Sequence, residues 1–110
     1  MILYNKTQKK IITKNIIISE TFLQNLFGLT LKNEPISMQF ITNFGIHTFL
    51  MNHPIDVLIL DNNSKVLKIK KNLKPNKLFF WNPKFSKIIE LMLIKNHNTK
   101  IGDILELINY

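Results

Sequence analysis

The chain contains no cysteine, no arginine and no alanine. Without cysteine there is no disulfide, no thiolate nucleophile and no cysteine-ligated zinc or iron–sulfur centre, and the lack is compatible with a reducing compartment. Without arginine there is no planar guanidinium fork to read guanine or to clamp a phosphate bidentately. The three glycines stand isolated at positions 28, 45 and 102, so there is no glycine-rich phosphate loop, and no G-x-S-x-G occurs. Hydrolase, kinase and dinucleotide-dependent functions therefore lose their usual sequence support. Long apolar runs are missing too. The longest, Val57–Leu60 and Leu91–Ile94 among them, are 4 residues, far short of the roughly 20 residues that cross a bilayer. Met1-Ile2-Leu3-Tyr4-Asn5-Lys6 is followed by neither an apolar h-region nor a small-residue cleavage site. The expectation is a soluble, cytoplasmic protein with no membrane insertion.

What is present suits one domain. The 110 residues are 45% hydrophobic, enough for a single core without a covalent staple, and no repeat, linker or low-complexity tract divides residues 1–110. The net charge is +8, which points toward nucleic acid or an anionic surface. Yet all 15 basic residues are lysine, and Ile, Asn and Lys (18, 14 and 15) make up 47 of the 110 residues. Their codons are A/T-rich. Our hypothesis is that nucleotide bias wrote much of this charge; ordinary lysine content in neighbouring genes would overturn it.

Along the chain, Lys10–Ile18 is isoleucine-rich and reads as a strand. Ser19 suits an N-cap, with Glu20 at the positive end of a helix dipole; Phe22, Leu23, Leu26 and Phe27 fall at helical spacing, and Gly28 suits the C′ position. A short helix is expected near 20–27. Strands follow at Met38–Ile41, Ile46–Met51 and Ile55–Leu60, then a turn over Asp61–Ser64 and a returning strand over Lys65–Asn72. Lys87–Leu93 and Ile104–Leu107 complete the set. The predicted fold class is α+β, mainly β, with an antiparallel, barrel-like sheet and one short helix.

One stretch is more specific. Ile46-His47-Thr48-Phe49, Met51, Pro54-Ile55-Asp56-Val57 and Leu60-Asp61 place two β runs about a proline kink, with an acid just inside the second run and another at its end. This resembles the family known as domain of unknown function 192, small bacterial and archaeal proteins of mostly β fold. Gly28-Leu29, Asn72-Leu73-Lys74-Pro75, Ile88-Ile89-Glu90-Leu91 and Gly102-Asp103 are similar to flanking parts of its pattern, so the likeness spans about 14–107. Ser64 stands where the family usually has glycine, which assigns the turn's backbone freedom to Asn62 and Asn63. Lys32 replaces an arginine, Ile94 replaces a glycine, and the connection to Gly102 is shorter. The resemblance implies a fold; it supplies no activity, catalytic set or cofactor.

Candidate chemistry is sparse. His47 and His53 are six residues apart, about 20 Å on one strand at roughly 3.3 Å per residue, too far to share a metal. His97 falls in a polar loop. Asp56 interrupts an apolar run, as does Glu90 in Ile88-Ile89-Glu90-Leu91. A buried carboxylate needs donors, and the plainer reading has Asp56 capping the Asn52–His53 kink. The functional reading is a cleft bordered by His47, Met51, Asp56 and Glu90. A second reading is nucleic-acid binding: Lys68, Lys70 and Lys74 share a strand face with Asn72, opposite Leu67, Ile69 and Leu73, and Trp81 lies among Phe79, Phe80 and Phe85. Its plain counterpart is an edge strand guarded by lysines, with the aromatics in the core. A third reading is a small-molecule enzyme using Asp56 and His47. The leading expectation is a non-enzymatic binding or accessory module, with no metal, no cofactor and an unspecified partner.

Overall fold

The computed structural model describes residues 1–18, 37–42, 45–47, 53–92, 94 and 96–109. The described residues form ten strands: β1 Ile2–Asn5, β2 Lys10–Thr13, β3 Ile16–Ile18, β4 Ser37–Ile41, β5 Ile46–His47, β6 Ile55–Leu60, β7 Val66–Leu73, β8 Leu78–Phe79, β9 Lys87–Met92 and β10 Leu105–Ile108. They assemble into a five-stranded sheet of order β3-β4-β9-β6-β7, a three-stranded sheet of order β10-β1-β2, and the pair β5-β8.

The central strands explain the arrangement. In β6, Ile55, Val57 and Ile59 join one buried cluster with Phe40, Ile88 and Met92. Leu58 and Leu60 join a second, with Leu3, Ile12, Ile16, Ile89, Leu91 and Leu105. Successive side chains point to opposite faces, so a strand buried on both sides reads as a nearly unbroken apolar run. A sheet buried on both faces needs two covers. The three-stranded sheet covers one face through Leu3, Ile12 and Leu105; Ile46 of β5, with Phe79, Trp81 and Phe85, covers part of the other. Gly45 permits that second cover. It has φ +93°, and a Cβ there would stand 2.6 Å from the Phe79 carbonyl oxygen.

This corrects the expected barrel. The main sheet is open among the described residues, with β3 and β7 at its edges, because a barrel has one interior whereas this sheet buries two faces. It is also mixed: β3 runs parallel to β4 and every other pairing is antiparallel. The expected single strand over 10–18 is split. Its first part pairs with β1 and its second with β4, and the break falls where the Asn15 N–H donates to Thr13 Oγ1 at 3.2 Å. The helix expected near 20–27 lies outside the described residues. Among the described residues, no helix is long and apolar enough to cross a membrane.

The turn after β6 is where expected, but a different residue bears its strain. Asp61 Oδ1 accepts the N–H groups of Asn63 (2.8 Å) and Lys65 (2.9 Å). Ser64, not Asn62 or Asn63, adopts the left-handed conformation, at φ 63°. A turn that closes on one left-handed residue puts it last, next to the returning strand. Replacing Ser64 with valine is therefore expected to destabilise the fold by about 1–2 kcal/mol, while Ser64→Gly is tolerated. Chemical denaturation of both variants checks this; a valine variant as stable as the parent would contradict the assignment.

Candidate functional site

β6 and β7 fall out of step at Asp56. Ile55 pairs with Leu73 and Val57 with Lys70, so Lys71 and Asn72 together oppose Asp56. This is a β-bulge. Asn72 is left-handed there, at φ 54°, and its N–H donates to Asp56 Oδ1 at 2.8 Å. Asp56 thus caps a bulge in the neighbouring strand, the Lys71–Asn72 segment supplying the donor that the sequence reading assigned to the Asn52–His53 kink. The bulge also shifts the face rule. Ile69 leans on the second cluster while Leu73 belongs to the first, so the row begun by Lys68 and Lys70 does not continue to Lys74.

The other Asp56 oxygen meets a residue that sequence reasoning passed over. His97 Nε2 lies 2.7 Å from Asp56 Oδ2. The Thr99 N–H donates to His97 Nδ1 at 3.2 Å, so Nδ1 is an acceptor and Nε2–H is the donor to the carboxylate. The side chain of His97 is 4% exposed and that of Asp56 21%. His97 points inward because both of its neighbours are left-handed, Asn96 at φ 62° and Asn98 at φ 52°. Their carbonyls are held by Lys10 Nζ at 2.7 Å and Gln8 Nε2 at 2.6 Å. Downstream, Asp103 Oδ2 accepts from Asn5 Nδ2 (2.8 Å), Gln8 Nε2 (2.7 Å) and the Lys100 N–H (2.9 Å). Burial pulls the Asp103 pKa up, but these three donors and the Lys100 charge outweigh it and hold it below the ordinary 3.8. A signal for His97 was available. An embedded carboxylate requires donors, and a histidine between two asparagines sits between residues that tolerate left-handed backbone.

These groups wall a cavity of about 360 Å³, lined by the polar residues Asp56, Lys71, Asn72, Asn96, His97 and Asn98 together with Pro54, Leu91 and Ile94. The size falls within the range of small-molecule sites. Among the described residues no three His, Asp or Glu side chains gather where they could hold a metal ion.

The other sequence candidates lie elsewhere. Asp56 is opposite Leu91, and Glu90 opposite Val57, so the two acids occupy opposite faces of the same sheet. Glu90 is buried, and its Oε2 has no hydrogen-bond partner among the described residues. Desolvation pushes its pKa from 4.5 up to about 8. His47 lies in β5 opposite Leu78, a strand that adds Ile46 to the first cluster, whereas Asp56 faces away from that cluster. Met51 lies outside the described residues. Lys68 Nζ stands 5.3 Å from the centre of the Phe79 ring, and Lys70 and Lys74 are exposed. Trp81 packs partly buried against the first cluster, tilted on Phe79 at 5.7 Å, and donates its indole N–H to the Phe85 carbonyl at 2.7 Å.

No family model matches the chain. It is 33% identical to a UPF0127 protein of Thermococcus sibiricus over 110 aligned residues, which cover 92% of this chain and 71% of that protein. Among solved structures it is similar to a protein of unknown function from Novosphingobium aromaticivorans, with TM-score 0.74, 17% identity, and coverage of 96% of this chain and 82% of that one. It is also similar to a protein from Sinorhizobium meliloti described as a candidate transcription regulator, with TM-score 0.72, 17% identity, and coverage of 96% and 89%. At these identities the two structures show a shared fold.

Two outcomes follow from the geometry. Asp56→Asn turns an amide NH₂ toward either the His97 or the Asn72 donor, and His97→Gln removes the ring. Each is expected to cost about 1–3 kcal/mol, with a coupling of about 1 kcal/mol or more in the double-mutant cycle; additive effects would refute the pairing. Glu90 behaves differently. Its folded pKa lies above its unfolded one, so the folded state holds the extra proton between pH 4.5 and about 8. Stability is then fullest below that window and falls as pH rises through it. Glu90→Gln is expected to gain on the parent by up to about 1.4 kcal/mol per pH unit across the window. A difference that stays constant from pH 5 to 8 would reject this.

Proposed function

The chain belongs to the UPF0127 family, and from that premise we propose a non-enzymatic binding or accessory module whose ligand site is the cavity beside Asp56 and His97. One observation carries the reading: both nitrogens of His97, the one imidazole on the cavity wall among the described residues, are engaged, Nε2 by Asp56 and Nδ1 by Thr99. A catalytic histidine–carboxylate pair uses one ring nitrogen for the acid and keeps the other for substrate. Here the second nitrogen is committed to the backbone, so the pair fastens a wall and has no nitrogen left to move a substrate proton. The remaining lining of amides, one ammonium and aliphatic residues is equipped to hold a molecule.

The finer parts of the proposal rest on sequence. Membership in the domain of unknown function 192 family is supported by the Ile46–Asp61 pattern, and a cytoplasmic setting by the absence of cysteine. The expected test is a fragment screen by amide NMR on the full chain with neutral, anionic and cationic compounds. Hits are expected to shift Asn72, His97 and Thr99. A screen in which no compound moves these amides overturns the binding reading, and turnover of a hit that is abolished by Asp56→Asn replaces it with an enzyme.

A further inference from the structure

Granting that the cavity beside Asp56 and His97 is a binding site, its lining also selects a ligand class. Asp56 and Lys71 both border it. The His97 ring donates to Asp56 while accepting from Thr99, so that ring brings no proton to cancel the carboxylate. One negative and one positive side chain therefore face the same space. An anionic ligand meets Lys71 favourably and Asp56 unfavourably, and a cationic one the reverse. The chain's net charge of +8 draws anions from a distance, but a carboxylate 21% exposed in the wall opposes them at contact.

The rest of the lining favours a neutral molecule rich in both donors and acceptors. Asn72, Asn96 and Asn98 are all exposed and all border the cavity. Each carboxamide offers two donors and an acceptor, Lys71 offers further donors, and Asp56 keeps lone pairs beyond its two hydrogen bonds. A hydroxyl is donor and acceptor at once, so a set of vicinal hydroxyls can use every one of these groups. Pro54, Leu91 and Ile94 also line the cavity, and Leu91 pairs directly with Asp56 across β6 and β9; apolar groups interleaved with polar ones suit a sugar ring, which carries C–H as well as hydroxyl surface. The three asparagines take left-handed backbone, so their positions are set by the bulge and by the Gln8 and Lys10 contacts, and the array exists before a ligand arrives.

We propose that this cavity binds a neutral polyhydroxylated ligand of monosaccharide size. The test is an amide NMR titration of the full ¹⁵N-labelled chain with four probes: D-glucose, D-ribose, sodium acetate and L-alanine. The expected result is saturable shifts of the Asn72, His97 and Thr99 backbone amides and the Asn96 and Asn98 carboxamides with at least one sugar. Asn98→Gly keeps the left-handed backbone and deletes the carboxamide; it is expected to weaken that binding about ten-fold. Should that variant fold poorly, Lys71→Gln on the exposed strand is expected to weaken it in the same direction. Sugar binding that neither variant alters overturns the assignment. Acetate or alanine binding at these amides while both sugars are silent overturns the polyol class and leaves the binding-module reading standing. Four silent probes also overturn the polyol class, whereas the binding reading itself falls only if the broad fragment screen is silent too.

Discussion

The hydrogen bond from His97 to Asp56 is the contact on which the local architecture depends. It ties the loop before β10 to the second residue of β6, the strand between β9 and β7, at the point where β7 bulges. Asp56 alone, embedded beside Ile55 and Val57, would be a carboxylate partly withdrawn from water at a cost of several kcal/mol. With the Asn72 amide on one oxygen and the His97 ring on the other, it becomes a three-way junction between β6, β7 and the 96–103 loop. The loop's far side is fastened by a second carboxylate, Asp103, to Asn5 and Gln8 of the N-terminal hairpin. Two acids thus hold one loop between two sheets. β10 then emerges in position to pair with β1 and to complete the sheet that covers Leu58, Leu60, Ile89 and Leu91.

Asp56 and Glu90 show how strand parity decides the fate of a charge. They lie in adjacent, hydrogen-bonded strands and interrupt similar apolar runs. One residue of register places Asp56 opposite Leu91, on the side where the loop brings donors, and Glu90 opposite Val57, on the side where Met38 and Val57 offer none. The first carboxylate accepts hydrogen bonds from the Asn72 amide and the His97 ring. The second is pushed toward the neutral form by desolvation alone. Two carboxylates in similar sequence contexts thus meet different surroundings, hydrogen-bond donors on one face of the sheet and desolvation on the other.

How much of this was legible follows from the range of the forces involved. β6, β9 and the 61–64 turn could be read because apolar runs bounded by turn residues are local signals. The split of Lys10–Ile18 could not, because an uninterrupted isoleucine-rich stretch does not reveal that its two ends pair with different partners. β1 was overlooked for the same reason: its partners are β2 and, at the far end of the chain, β10. The open, two-faced sheet was mistaken for a barrel since both produce many short strands. Asp56 was recognised as needing donors, but its partners lie 16 and 41 residues away, beyond any local pattern. Ser64 was a matter of geometry within the turn; the position the resemblance marks as glycine is the one that takes φ 63°.

The lysines are best understood together with the edge they occupy. β7 is the last strand of the five-stranded sheet, and an open edge invites pairing with another chain unless charge and irregularity blunt it. Lys68, Lys70 and Lys71 supply the charge, and the bulge at Asp56 supplies the irregularity. Lys68 is exposed and holds its ammonium over the Phe79 ring. A surface that stacks nucleobases needs rings with a free face, but Trp81 is tilted against Phe79 and fixed by its N–H to the Phe85 carbonyl. Phe79, Trp81 and Phe85 pack against the first cluster, whereas the Phe80 ring is exposed.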